Sequence, residues 1–276
     1  MSFTPRALIL DLFGDYLRYV DSEVRLGHLT TLFEAFEIAP ATVRVTMSRL
    51  RREGWFTSHR LGRETVYTLS PHMLEVLDEG RRRIFAPASS HWDESWTMVI
   101  YQLSEADRQG REQLRKELAW QGFGSLTTST WLAPGDRRED VHTLTRNFPT
   151  AQIDVLRCSS DGLDHDRELV SRCWDLTTLA GEYESFNAQN RDLVHSAGAL
   201  VGAEALVERT RVITTFRHFP FKDPRLPRDL RPEAWPGVEA HEIFHEVHAT
   251  LGPPARTYVA GVIGREVPAP PNRQYE

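Results

Sequence analysis

Two short stretches of this chain carry side chains whose types and spacing could do chemistry. The first is VRVTMSRLRREGW, Val43 to Trp55, with Arg44, Arg49, Arg51 and Arg52 on one segment. At ~100° per residue, Val43, Met47 and Leu50 fall on one edge, suited to packing. Arg44, Ser48 and Arg51 form a second stripe, with Arg52 and Val45 just beyond it and Arg49 on the far flank. A helix that packs by one edge and turns basic and small groups outward is what a DNA major groove accepts. A solvated charged face gives the same pattern, so the context decides.

The second stretch is HEIFHEVH. His241-Glu242-Ile243-Phe244-His245 is a literal H-E-x-x-H, with His248 three residues on. In zinc proteases the two histidines hold the metal from one helix face and the glutamate is the general base. Ile243, Phe244, Val247 and Leu251 form a separate apolar stripe, which would leave three imidazoles on another edge. Against catalysis, no histidine follows His248 to supply a third ligand. Glu266 is the only further carboxylate before Glu276, and it sits among prolines that disfavour a second ligand-bearing helix. The expectation is an amphipathic helix with surface histidines. His241, His245 and His248 are weak metal candidates, and a zinc-dependent hydrolase is the alternative reading from the enzyme class.

The elements around the arginine segment give it a setting. Leu8, Leu12, Tyr16 and Tyr19 recur at helical spacing. A second helix runs through LGHLTTLFEAF, EIAPA makes a turn, and the arginine helix follows, closed by Gly54 in the position of a left-handed cap. WFTSHRLGRETVYTL then reads as two β-prone runs joined around Gly62, with Arg60 and Arg63 at the tip. Ser70-Pro71 caps a further helix over 71–85. Helix, helix, turn, helix and basic-tipped hairpin is the order of a winged helix-turn-helix, whose wing meets phosphate or minor groove.

The chain has 276 residues and a net charge of −6, yet residues 38–63 hold six arginines against Glu53 alone, a local charge of +5. A basic patch on an acidic protein is a directed footprint, because repulsion from the remainder disfavours loose polyanion binding. No apolar run approaches the ~18 residues of a membrane span. Cys158 and Cys173 lack metal spacing, which fits a reducing cytosol. A linker is expected at 86–92. Beyond it, WTMVIYQL, LTTSTWLAP and AQIDVLRC read as strands alternating with two helices, a ferredoxin-like arrangement. Residues after 165 look mainly helical, interrupted by FPFKDPRLPRDLRPEAWPG.

The expected fold class is therefore α+β, in three domains: a winged helix-turn-helix over 1–86, a ferredoxin-like domain over 92–162 and a C-terminal helical domain over 165–276. LILDLFGDYLRY, VRVTMSRLRREGWF, GRETVYTLS, GRRRIF, LRKELAWQGFG, TWLAP, CWDL and DPRLPRDLRPEAWPG together resemble the PaaX family, in order and along nearly the whole chain. The resemblance implies a cytoplasmic, dimeric transcriptional repressor of aromatic (phenylacetic acid) catabolism that binds double-stranded operator DNA and responds to phenylacetyl-coenzyme A. It places Arg44, Ser48, Arg49, Arg51 and Arg52 on the recognition helix and Arg60 and Arg63 on the wing. Arg44 and Arg51 are favoured for guanine, and Arg49, Arg60 and Arg63 for phosphate. The central domain of such proteins is similar to a small CRISPR-associated adaptor nuclease subunit, which places an aspartate at the end of its first strand for metal. Here that end reads Tyr101-Gln102-Leu103, without a carboxylate, so nuclease chemistry and a cofactor are not expected.

An aryl-coenzyme-A effector needs an apolar slot for its ring and cations for its phosphates. RVITTFRHFPFKDPR offers Arg211, Arg217, His218, Lys222 and Arg225 interleaved with Phe216, Phe219 and Phe221. Core phenylalanines beside solvated cations would look the same. A winged helix used only for protein contacts is a third possibility, in which Arg44 and Arg51 would not matter for nucleic acid.

Overall fold

A computed structural model describes residues 3–20, 23–85, 92–104 and 106–270. The linker expected at 86–92 lies outside these, apart from Trp92. The chain forms two compact units. One comprises Met1–Ala86, Ser185–Arg217 and Val238–Glu276; the other comprises Pro87–Glu184 and His218–Gly237. The residues expected to form one C-terminal helical region are thus shared between the two.

In the first unit, Thr4 and Pro5 start α1 (Pro5–Asp15), with the Thr4 hydroxyl accepting from the Ala7 N–H. A short 3-10 turn leads to β1 (Glu23–Arg25), α2 (Leu26–Glu34) and α3 (Pro40–Arg52). The hairpin follows as β2 (Phe56–Leu61) and β3 (Glu64–Leu69), then α4 (Pro71–Phe85). Ser70 caps α4 by accepting from the Met73 N–H at 3.2 Å. β1 was not foreseen. It is three residues long, too short for alternation to register, and it pairs antiparallel with β3 to give the sheet order β1-β3-β2. Leu8, Leu12, Leu29, Leu32, Phe33, Val43, Met47 and Leu50 are all fully buried, so the three helical stripes converge on one core. Tyr16 is buried as well, but it follows α1 rather than lying on it.

In the second unit, β4 (Trp96–Gln102), α5 (Arg108–Trp120), β5 (Gly124–Ser125), β6 (Thr130–Pro134), α6 (Arg138–Thr145) and β7 (Gln152–Cys158) form an antiparallel sheet of order β5-β6-β4-β7. That is the ferredoxin-like order, with the first strand central and the last beside it. Val99, Tyr101, Leu114, Leu118 and Trp131 pack between sheet and helices. α7 (Leu163–Cys173) follows, and Asp166 on it accepts the Trp96 indole N–H at 2.6 Å.

α8 (Leu176–Ser196) begins in the second unit and ends in the first. α9 (Gly202–Phe216), α10 (Gly237–Thr250) and α11 (Gly252–Ile263) complete the first unit, with α9 packed on α1 and α11. Among the described residues no helix is long and apolar enough to cross a membrane. Cys158 and Cys173 are free thiols, and burial pushes the Cys173 thiol up to about 11.

Candidate nucleic-acid interface

α3 owes its start to Pro40 at the first helical turn and its end to Gly54, whose φ of +80° allows a left-handed cap. The Gly54 N–H donates to the Arg51 carbonyl and the Trp55 N–H to that of Leu50, which turns the chain directly into β2. Val43, Met47 and Leu50 have no exposed surface. Ala41, Thr42, Arg44, Val45, Arg49, Arg51 and Arg52 are exposed, and Ser48 is half-buried. All the arginines singled out on this helix therefore face away from the core.

They are not equivalent. Arg49 pairs with Glu53 at 2.9 Å, and Glu53 also takes Arg6 at 2.6 Å. The two arginines hold the Glu53 carboxyl below its ordinary range, mainly through the hydrogen bond from Arg49. Arg6 is itself fixed over the Trp55 ring at 4.1 Å. Among the described residues, Arg44, Arg51 and Arg52 have no carboxylate partner. At the hairpin, Gly62 takes a φ of +61° in the turn, and Arg60 Nη1 donates to the Arg63 carbonyl at 3.2 Å. Arg60, Leu61, Gly62 and Arg63 are all exposed.

The histidine helix is arranged differently. His245 is exposed and His241 half-buried, but His248 is only 8% exposed, which corrects the expectation of three surface imidazoles. Its Nε2 lies 3.0 Å from Asp15 Oδ2 and 2.7 Å from Arg209 Nη2. One nitrogen cannot donate to the first and accept from the second, so the tautomer selects one bond. Arg209, 2% exposed, pairs with Asp15 at 2.6 Å, and Arg209 Nε donates to the His248 carbonyl at 2.9 Å. Arg209 Nη1 also donates to the Tyr16 hydroxyl at 2.6 Å. Among the described residues no three ligand side chains gather to hold a metal, so the zinc-hydrolase alternative has no geometric footing.

Burial governs the titration of this cluster. It pushes His248 down to about 4, against the pull of Asp15. Burial would push Asp15 up, but Arg209 and His248 outweigh it and hold the carboxyl well below its ordinary range. Asp11, one turn earlier on α1, is pushed up to about 6 by burial, although Arg217 pairs with it at 2.8 Å and the Thr214 hydroxyl donates to it. Sequence reasoning missed Asp11, Asp15 and Arg209. The available signal was two acidic residues spaced i, i+4 within an apolar helix.

The five effector candidates are divided between the two units. Arg211 pairs with Glu208 and Arg217 with Asp11, both in the first unit. His218, Lys222 and Arg225 belong to the second. There Lys222 lines a cavity of about 290 Å³ with Trp120, Trp131, Trp174, Phe221 and Asp223. Trp120 stacks on Phe221 with ring centroids 4.7 Å apart. Gly124 is needed at the wall, since a Cβ there would come within 2.5 Å of the Trp174 ring. Lys222 is bonded to Glu182 at 2.7 Å, and the buried Trp131 indole N–H has no acceptor among the described residues.

A ferredoxin-like unit combined with a helical unit that carries an outward basic helix and a basic-tipped hairpin defines an α+β architecture of three sequence segments. Each segment matches a family model: PaaX-like protein over residues 4–73, the PaaX protein central Cas2-like domain over 89–170, and the PaaX-like protein C-terminal domain over 174–261. The chain is 31% identical over 266 residues to the transcriptional repressor PaaX of Escherichia coli (strain K12), covering 92% of this chain and 82% of that one. It belongs to the PaaX family. The uncharacterized protein Rv0674 from Mycobacterium tuberculosis shares the fold, with a TM-score of 0.61 at 21% identity over 92% of this chain and 98% of that one.

Proposed function

We propose that this protein is a transcriptional repressor that binds double-stranded operator DNA, as a homodimer in the cytoplasm, through a winged helix-turn-helix in which α3 is the recognition helix and β2–β3 the wing. One observation carries the reading. Among the described residues, Arg44, Arg51 and Arg52 project from a core-anchored helix with no carboxylate partner, in a chain akin to a repressor along 92% of its length. A solvated charged face would place acidic residues among its arginines. Here the sole acid in the sequence from 38 to 63, Glu53, sits at the helix end with Arg49 and Arg6. Arg44 and Arg51 would contact guanine edges, while Arg49, Arg60 and Arg63 would meet phosphates.

Release by an aryl-coenzyme-A-type effector, such as phenylacetyl-coenzyme A, is the second part of the proposal. The cavity beside Lys222 supports it. Its volume of about 290 Å³ suits an aryl-acyl group bounded by three tryptophans, and leaves the nucleotide portion outside. An effector dislodges DNA only through a preference for the DNA-free state.

The test is an anisotropy titration at fixed salt on DNA from the protein's own upstream region, with and without phenylacetyl-coenzyme A. Selective binding abolished by the thioester supports both parts. Selective binding that is indifferent to it keeps the repressor and removes the effector class. Equal affinity for random DNA overturns the proposal.

A further inference from the structure

On α3 the fully buried Val43, Met47 and Leu50 define the inward direction. At ~100° per residue, Val45 lies about 180° from the middle of that stripe, closer to the outward pole than any arginine but Arg52, which lies beside it. Val45 is 69% exposed, the most exposed of the large apolar side chains among the described residues. Local structure gives no reason for it. A β-branched residue loses rotamer freedom in a helix, and at this exposure Val45 gains little burial in return. Alanine would serve the helix better. Ser48 and Arg49 lie about one turn further along this face and Arg52 two turns further.

We propose that Val45 is a specificity residue that packs against the 5-methyl group of a thymine in the operator's major groove. This deepens, and rests on, the DNA-binding reading above. The cations around Val45 fix the occupant. A face carrying Arg44, Arg49, Arg51 and Arg52 draws a polyanion, and two such faces repel each other across a two-fold axis. Of the groups the major groove offers, the thymine methyl is the one apolar feature, and an aliphatic side chain is its complement. Hydrogen bonds from the arginines cannot read it, so Val45 would supply information that they do not.

The experiment uses the full-length protein. Its preferred site is first selected from a random duplex pool. Each thymine in that site is then replaced singly by deoxyuridine, which removes only the methyl group. Wild-type protein is expected to lose about fourfold in affinity at one or two positions per half-site. Val45→Ala, an exposed change to a better helix former, should bind the unsubstituted site about fourfold more weakly and be indifferent to deoxyuridine there. Indifference of the wild type to every substitution overturns the proposal, as does a Val45→Ala protein that keeps the wild-type pattern of losses. A pool that yields no preferred sequence overturns the DNA-binding reading itself, and this inference with it.

Discussion

α3 and the Asp15–Arg209–His248 cluster both collect charged side chains in the first unit, but they treat them in opposite ways. On α3 the arginines stand in water, and three have no carboxylate partner among the described residues. In the cluster an arginine, an aspartate and a histidine are sealed from solvent and saturated with one another. Exposed charge costs the fold little and remains available to a partner. Buried charge must be matched inside the molecule, and removing one member strands the others. The chemistry proposed to recognise DNA and the chemistry that holds the fold together use the same residue types, and burial separates the two.

The largest effect should come from Arg209→Met. It leaves the Asp15 carboxylate buried without its main partner and is expected to lower stability by about 3–5 kcal/mol in urea unfolding. Arg52→Ala on α3 should leave the unfolding midpoint where it was. If the two variants unfold alike, the contrast between the regions fails.

Acid sharpens the same contrast. His248 titrates near 4 folded and 6.5 unfolded, so its contribution to stability is present above pH 6.5 and is lost as pH falls toward 4. Asp11 has the opposite sign. Raised from 3.8 to about 6, it contributes stability at low pH that is lost as pH rises through 6. Each is worth about 3 kcal/mol, so between pH 6 and 4 the two nearly cancel. Below 3.8, protonation of Asp15 adds destabilisation, since its carboxyl is held low. Asp11→Asn should therefore lose stability faster than wild type as pH falls from 6 to 4, measured by thermal unfolding across that range. A parallel profile would show that Asp11 does not provide the offset.

On the recognition side, Arg44→Ala and Arg51→Ala should each cost about 1–3 kcal/mol in specific binding and relax one base preference. Equal losses on specific and random duplexes would assign both to phosphate. The smallest expected effect is at the wing. Arg60→Ala and Arg63→Ala should weaken all duplexes alike and lower the slope of log affinity against log salt by about 1 each.

How much of this was legible in the sequence follows from range. The buried edge of α3, the cap at Gly54 and the hairpin around Gly62 are set within a few residues, and periodicity and turn chemistry displayed them. Three strands of the ferredoxin-like sheet showed as runs of adequate length, while β5, two residues long, left no pattern to read. His248 could not be read, because its burial depends on Asp15, 233 positions away. The five effector candidates looked like one group because they are neighbours along the chain, yet Arg217 pairs with Asp11 in the first unit while Lys222 lines a cavity within the second. Asp11 and Asp15 went unread, because the arginines that match them lie about 200 positions away.

The Asp15–Arg209 pair also has a consequence for how the protein is made. α1 leaves the ribosome long before residue 209 is synthesised, and until then its two acidic side chains have no Arg209 or Arg217 to meet. Domains ordinarily fold as they emerge, N-terminal first. Here Arg81, 3.9 Å from Asp15, is an early but loose partner, and the close pairs wait for Arg209 and Arg217, so the charge matching of α1 is complete only near the end of synthesis. A fragment ending at residue 86 would carry the basic helix but leave Asp11 and Asp15 without the close partners that Arg217 and Arg209 provide.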